Sequence, residues 1–248
     1  MYRVIFIIVL IVALLILLKQ SSLYNKPKRR ILIISAEDRT EKFINYHDVS
    51  FRKYAHKWGY EYIRLENCHR EESSTTSWCK IHLVKKYLKD GVYDYVMWAD
   101  SDTIINNKDV SLDKLIDESN EANIIIGKDY NDSDTKCAGL FMIKNSEIGH
   151  AFINKSLLII DERDWCIKNN EVQGNWGGSC YEQGVMNELI NSLYNEHTHV
   201  DDHKMFLNIV PGGKKFDDSK HKNVIIIHYS GAPADERAEF FTHRMDTE

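Results

Sequence analysis

Two aspartates, Asp100 and Asp102, are separated by one residue at the end of an apolar and aromatic run that begins at Tyr93. Such a run predicts a buried strand, and residues two apart in extended chain point to the same side. The two carboxylates should therefore converge beyond the end of the strand, where ligands bind in open α/β sheets. Because like charges repel, we expect a cation between them. Oxygen ligands favour Mg²⁺ or Mn²⁺, ions that commonly hold a diphosphate.

This pattern favours a metal-assisted glycosyltransferase that uses a nucleotide-sugar, and two other functions stay open. A phosphatase of the haloacid dehalogenase type also places D-x-D after a strand. That motif has Thr or Val two positions after the second aspartate, where this chain has Ile104, and it normally follows the first strand of its domain. The other alternative is a catalytically inactive, membrane-anchored carbohydrate-binding or scaffold protein of the same fold. An intact set of metal-binding residues would favour the enzyme.

The N-terminus carries an apolar run of 15 residues, Val4–Leu18, in a chain of 248 residues. As a helix it would be roughly 22 Å long, against a bilayer core of about 30 Å. No small-residue cleavage site follows, so we predict an uncleaved signal-anchor rather than a cleaved signal peptide. Residues 1–29 would be tail, anchor and stem, and residues 30–248 one catalytic domain. Positive charge is heavier after the run than before it, which by the positive-inside rule predicts a cytosolic domain.

The domain after the anchor is acidic. The first 30 residues hold six of the 32 basic side chains and none of the 37 acidic ones, so the remainder has 26 against 37 and a net charge of −11. This balance does not favour nucleic acid as a partner, and it leaves bound phosphates in need of local positive charge, which a metal would supply. The five cysteines match no zinc-ligand spacing, and at least one must be unpaired.

Alternating strand and helix patterns predict a three-layer α/β/α domain with a mostly parallel central sheet. Strands are predicted at residues 31–34, 60–65, 93–99, 123–127, 138–143, 203–210 and 224–228, and helices at 41–58, 78–89, 111–119, 146–161, 182–194 and from 235 onward. The segment 164–180 is rich in Gly, Asn and Trp and predicts an irregular loop. Its Trp165 and Trp176 are candidates to stack on acceptor sugars.

Five short motifs, in their order and spacing, resemble glycosyltransferase family 34, which groups fungal α-galactosyl- and α-mannosyltransferases with plant xyloglucan α-xylosyltransferases. They are Trp78–Lys80, Asp100–Asp102, Ala138–Ser146, Glu182–Gln183 and His228–Gly231. The resemblance implies a GT-A (Rossmann-like) fold, dependence on Mn²⁺ (or Mg²⁺) and retention of anomeric configuration. It implies a nucleotide-sugar donor and a glycan, oligosaccharide or glycoprotein acceptor. It also implies a type II membrane protein with a lumenal Golgi domain, opposite to the orientation that the flanking charges predict.

The resemblance also implies roles for individual residues. Asp100, Asp102 and His228 would hold the metal, Gln183 would lie beside the anomeric carbon, and Glu182 would lie near the acceptor hydroxyl. The donor would be contacted by Ser35, Ala36, Glu37, Lys80, Asp100, Ser101 and Gly139. The plainer alternatives are a solvated surface lysine at position 80, a hydrogen-bonded strand-end histidine at 228, and an ordinary acidic helix start at 182–183.

The chain departs from the family pattern at three places. Cys137–Gly139 stands where the family often has Asn-Thr-Gly, and Tyr181 precedes Glu182-Gln183 where plant members have Asp-Asp-Gln. Some members place a lysine that neutralises the diphosphate five residues after the metal histidine. Pro233 occupies that position here, and Arg237 is the candidate substitute.

Overall fold

The computed structural model describes residues 28–66, 75–130, 134–169, 171–212 and 222–246. The predicted anchor at residues 4–18 lies outside these ranges. Within them, no helix combines the length and the apolar character needed to cross a membrane.

Strands and helices alternate through the described residues, as the sequence predicts. In chain order they are β1 (Ile31–Ala36), α1 (Lys42–Trp58), β2 (Glu61–Leu65), α2 (Thr76–Lys89), β3 (Tyr95–Ala99), β4 (Thr103–Ile105), α3 (Leu112–Glu118), β5 (Ile124–Lys128), β6 (Lys136–Lys144), α4 (Glu147–Glu162), β7 (Ile167–Lys168), β8 (Glu171–Val172), α5 (Glu182–Leu189), β9 (Thr198–Asp201), β10 (Leu207–Ile209), β11 (Ile226–His228) and α6 (Ala234–Asp246). Ile190–Tyr194 continues α5 as a π-helical turn.

The central sheet has the strand order β2-β1-β3-β6-β5-β9. The β1–β2, β1–β3 and β5–β9 pairs are parallel, whereas β6 runs antiparallel to both of its neighbours. A second sheet, in the order β10-β11-β4, pairs β11 antiparallel to β4. The prediction of a mostly parallel central sheet is therefore confirmed.

The core lies on both faces of the central sheet because successive strand residues point to opposite sides. On one face, residues such as Leu32 and Ile34 pack with α2, α4 and α5. On the other face, Ile31 and Ile33 pack with α1, α3 and the second sheet. The result is a layered α/β/α arrangement, and β3, at its centre, is buried along its whole length.

Neither β9 nor the disulfide of the 164–180 loop was predicted from the sequence, because both depend on tertiary contacts. β9 was missed because its sequence, Thr-His-Val-Asp, lacks an apolar alternation, and its extended form is fixed by pairing with β5. The loop at 164–180 is closed by a disulfide between Cys166 and Cys180, which the sequence left unassigned. Cys137 is a free, buried thiol.

We expect the fold to lose stability in acid through His47, which lies on α1 against β4. Its Nδ1 lies 2.7 Å from the Thr103 carbonyl oxygen, and its buried Nε2 has no hydrogen-bond partner among the described residues. Burial lowers the pKa of His47 to about 4, outweighing the bond to Thr103. Protonation therefore favours the unfolded chain, in which the pKa is about 6.5. This contribution is complete above that pH and is lost as the pH falls towards 4.

The His47→Asn variant should lose less stability than the wild type between pH 7 and pH 4, by up to roughly 3 kcal/mol. Urea unfolding at several pH values measures the difference, and His56→Asn, at an exposed position of the same helix, is the control. Parallel stability–pH curves for the wild type and His47→Asn would contradict the assignment.

Candidate metal and sugar-nucleotide site

Asp100 and Asp102 lie in the turn where the chain leaves the central sheet at the end of β3 and enters the second sheet as β4. The turn is closed at Thr103, whose backbone N–H and hydroxyl donate to the Asp100 carbonyl oxygen at 3.1 and 2.6 Å. The expectation that the two aspartates converge because they share one extended strand is therefore wrong. They converge because a tight turn folds them together.

His228 joins the two aspartates through strand pairing. It is the last residue of β11 and lies opposite Thr103 of β4. Its Nε2 lies 3.0 Å from Asp102 Oδ1, and the next residue, Tyr229, donates its N–H to the Asp102 carbonyl oxygen. Ligand atoms of Asp100, Asp102 and His228 all lie within 4.8 Å of one another. The structure thus brings together the three residues predicted to hold a metal.

Gly139 of β6 leaves space for this cluster. A Cβ at position 139 would lie 2.6 Å from His228 Cε1 and 3.0 Å from Asp100 Oδ2, closer than side-chain atoms tolerate. The Gly139 carbonyl oxygen also accepts the N–H of Asp100 at 2.8 Å. The cluster offers two carboxylates and an imidazole within a small space. Such a ligand set suits a hard divalent cation, so the residues present fit the predicted metal.

Lys80, in α2, forms an ion pair with Asp100. The side chain is 5% exposed, so the alternative of a solvated surface lysine is wrong. Its ammonium lies 2.9 Å from Asp100 Oδ1, 3.1 Å from Glu182 Oε1 and 3.2 Å from the Ala138 carbonyl oxygen. Burial alone would lower the pKa of Lys80, but the charges of Asp100 and Glu182 outweigh it and raise the pKa. These three contacts engage its N–H groups and orient Asp100; contact of Lys80 with a donor stays a prediction.

Glu182 and Gln183 begin α5 and face different partners, as neighbours about 100° apart on a helix must. Glu182 is 1% exposed and pairs with Lys80, and burial raises its pKa. Its burial and its pairing with Lys80 place Glu182 where it helps to hold Lys80. A role near the acceptor hydroxyl stays a prediction. Gln183 Oε1 accepts the Ala138 N–H at 3.0 Å, and its Nε2 donates to Asp129 Oδ2 at 3.0 Å. These two bonds fix the orientation of the amide.

The Asp102 carboxylate contacts two basic side chains, those of His228 and Arg237. Burial alone would raise the pKa of Asp102, but the charges of His228 and Arg237 outweigh it and lower the pKa to about 2. Arg237 Nη2 lies 3.0 Å from Asp102 Oδ2. The same carboxylate holds the pKa of His228 above its ordinary value against the effect of burial. On its other side, the His228 ring has Nδ1 3.4 Å from the Cys137 sulfur, a neighbour that no sequence pattern indicated.

The end of β1 forms another wall. The Glu37 carboxylate accepts the Ser101 hydroxyl at 2.5 Å and also binds Arg39. Burial alone would raise the pKa of Glu37, but these bonds outweigh it and lower the pKa to about 2. Ser35, predicted to touch the donor, is fully buried and does not border the cavity described next, because its alternating position in β1 turns it into the core. The Ser35 side chain therefore does not reach this cavity.

These residues border one cavity of about 950 Å³. Every predicted site residue other than Ser35 and Trp165 lines it, and so do several that sequence reasoning did not place there. The lining residues are Ala36, Glu37, Asp38, Arg39, Thr76, Ser77, Lys80, Trp98, Asp100, Ser101, Asp102, Asp129, Cys137, Gly139, Trp176, Glu182, Gln183, Ile209, His228, Ser230, Gly231 and Arg237. Asp129 follows β5 directly, so its place after a strand end was a usable signal. Trp98 donates its indole N–H to Asp100 at 2.6 Å, which no sequence pattern indicated.

No family model and no curated protein sequence matches the chain. Among solved structures, the chain is similar to a glycosyltransferase involved in glycosylation of the major capsid of PBCV-1, with 16% identity, a TM-score of 0.63, and coverage of 86% of this chain and 99% of that one. The galactosyltransferase LgtC, in complex with donor and acceptor sugar analogues, matches at 13% identity and TM-score 0.49, covering 88% and 95%. The glycosyltransferase GlyE of Streptococcus pneumoniae TIGR4 matches at 13% and 0.47, covering 89% and 63%.

The likeness to the PBCV-1-related structure shows that this chain shares the fold of that glycosyltransferase. The mixed α/β layers with a mostly parallel sheet fit the predicted GT-A class. Membership of family 34 is not decided by these comparisons and stays a prediction.

We expect the Gly139→Ala variant to bind Mn²⁺ at least roughly tenfold more weakly than the wild type, since the added methyl group displaces His228 or Asp100. Electron paramagnetic resonance of free Mn²⁺ during a titration measures the affinity. Thermal unfolding of both proteins in chelator controls for a general loss of folding. Unchanged Mn²⁺ affinity in a folded variant would contradict the metal assignment.

Proposed function

We propose that the protein is a retaining, metal-dependent glycosyltransferase related to family 34. It would transfer a sugar from a UDP- or GDP-linked donor to a glycan acceptor, forming an α-linkage. The observation that carries this proposal is the cluster of Asp100, Asp102 and His228 beside a large cavity in a glycosyltransferase fold. The intact cluster favours an active enzyme over an inactive carbohydrate-binding protein of the same fold.

Asp100, Asp102 and His228 would hold Mn²⁺, or Mg²⁺. The ion would supply charge neutralisation of the donor diphosphate as the glycosidic C–O bond breaks. The protein prepares this site with fixed charges: Lys80 orients Asp100 and Arg237 orients Asp102. His228 would bind the ion as the neutral imidazole, after losing the proton that it shares with Asp102. Because these contacts are already formed, little reorganisation is needed when the donor binds.

Arg237 is our candidate for the cation that stabilises the departing diphosphate, in place of the family lysine. It borders the cavity in the first turn of α6, where helix N–H groups also favour anions. Its guanidinium bridges the Asp102 carboxylate and the Tyr229 carbonyl oxygen. A planar guanidinium held in this way suits a phosphate oxygen better than a flexible ammonium would.

At the opposite wall, Ala36, Glu37 and Ser101 would bind the nucleoside. The depressed pKa of Glu37 keeps its carboxylate ionised and able to accept hydrogen bonds from ribose hydroxyls. Gly139 would contribute by leaving room for His228 and Asp100, whose side chains pack against its backbone.

Gln183 would stabilise the positive charge that develops at the anomeric carbon. Its amide cannot act as a base near neutral pH, and an inverting enzyme needs a carboxylate base facing the acceptor. We therefore propose a front-face reaction in which the leaving phosphate oxygen takes the acceptor proton. Ala138 and Asp129 hold the amide in place, and Glu182 contributes through Lys80 rather than through the acceptor.

The compartment belongs to the same proposal. We propose that residues 4–18 anchor the protein and that the domain faces the lumen of the secretory pathway, in the Golgi. The Cys166–Cys180 disulfide supports this orientation, since such bonds persist in oxidising compartments.

Nucleotide binding should require the metal. For the wild type, we expect calorimetry to detect UDP or GDP binding with Mn²⁺ and at least roughly 100-fold weaker binding without it. Asp102→Asn should bind weakly under both conditions, whereas Asp90→Asn, at an exposed carboxylate on the end of α2, should behave like the wild type. Equal affinity for all proteins with and without Mn²⁺ would sink the proposal.

The linkage formed should keep the α configuration of the donor. Proton NMR of the first product bond tests this directly, and a β linkage from an α donor would mean inversion and would refute the assignment to family 34.

Gln183→Ala should lower turnover roughly 10- to 1000-fold, because it removes an oriented dipole from the reacting centre. Nucleotide affinity of this variant should stay near that of the wild type.

A further inference from the structure

We propose that Trp176, backed by Tyr181, is the acceptor platform of this enzyme and binds the apolar face of a pyranose ring at the mouth of the cavity. This inference rests on the proposed function and adds to it the place and the chemistry of acceptor binding.

Trp176 is exposed where an indole normally is not. It is 73% exposed, the highest value among the exposed large apolar side chains of the described residues. Of that group, which includes Trp165, Leu158 and Leu193, only Trp176 borders the cavity. A single exposed apolar side chain is ordinary, but Trp176 is paired with the Tyr181 ring at the edge of the cavity, which makes a larger aromatic surface next to the site.

The segment around Trp176 is held in place, so the ring is presented in a defined position. Cys166 and Cys180 join the two ends of the segment in a disulfide. The Trp176 ring contacts the Tyr181 ring, with centroids 5.0 Å apart and an interplanar angle of 57°. Two backbone hydrogen bonds, from Gly178 to the Asn175 carbonyl oxygen and from Tyr181 to that of Gly178, tighten the turn. A platform fixed in this way loses little conformational entropy on binding.

The platform lies next to the residue that we assign to the anomeric carbon. Gly177 has φ +70°, a conformation that side chains rarely adopt, and a Cβ there would lie 3.4 Å from Gln183 Nε2. The chain therefore passes against Gln183 immediately after Trp176. A sugar on this indole would hold its hydroxyls near the bond that is broken, which is where an acceptor must be.

The chemical class of the ligand follows from the side chains that Trp176 and Asp129 present at the cavity. A pyranose ring has a face of C–H groups that packs on an aromatic ring and a rim of hydroxyls that need hydrogen-bond partners. Trp176 provides the apolar surface, and Asp129 borders the same cavity with a carboxylate that can accept from hydroxyls. A nucleotide base could also stack on an indole, and the experiment separates the two ligands.

The test uses the full chain with Mn²⁺ and UDP or GDP, whichever the wild type binds, and measures binding to an immobilised array of mono- to tetrasaccharides. We compare wild type, Trp176→Ala, Trp176→Phe and the control Trp165→Ala, which changes a 53% exposed tryptophan of the same segment that does not border the cavity. Trp176→Ala should lose at least roughly tenfold of the glycan binding. Trp176→Phe should keep part of it, and Trp165→Ala should match the wild type. Nucleotide affinity should be equal in all four proteins.

Three results would overturn the inference. They are an array on which the wild type binds nothing, glycan binding that Trp176→Ala leaves unchanged, and a loss of nucleotide affinity in Trp176→Ala, which would assign the indole to the base. Failure of the proposed function looks different: the wild type would then bind no nucleotide in the presence of Mn²⁺. Glycan binding that still depended on Trp176 in that case would make the protein a carbohydrate-binding module.

Discussion

Three carboxylates share one small region, those of the buried Glu182 and of the partly exposed Asp100 and Asp102, and the structure around them balances their charge. Lys80 serves Asp100 and Glu182 together, and Asp102 lies between His228 and Arg237. These cations come from α2, β11 and α6, so the packing of three distant elements is tied to one electrostatic requirement. Removing one partner of such a buried pair typically costs about 3–5 kcal/mol.

The position of the site follows from the change of sheet at the Asp100–Asp102 turn. β3 belongs to the central sheet and β4 to the smaller one, and only this turn separates them. The pairing of β4 with β11 then brings a histidine that is 126 residues further along the chain to the same point. Gly139 on β6 completes the arrangement by having no side chain. The site is therefore located at the junction of two sheets, and both must fold before it exists.

Sequence reasoning succeeded where a signal is local. Apolar runs predicted the core strands, and the spacing of Asp100 and Asp102 predicted a site at a strand end. His228 was found only through the family resemblance, because a strand-end histidine carries no signal of its own. Tertiary contacts decided the rest. Burial pairs Lys80 with Asp100 and Glu182, strand alternation directs Ser35 into the core, and a turn rather than extended chain brings the aspartates together.

The ion pairs of Asp100 and Asp102 bear on whether the fold would depend on a bound metal ion. Zinc fingers unfold without metal because nothing else holds their ligands together. Here Asp100 and Asp102 each have a cationic partner from the chain itself. In the proposed reaction, the ion could therefore leave with the spent nucleotide without leaving either carboxylate uncompensated. The ion would then bind and leave with the substrate, and the fold would not depend on it.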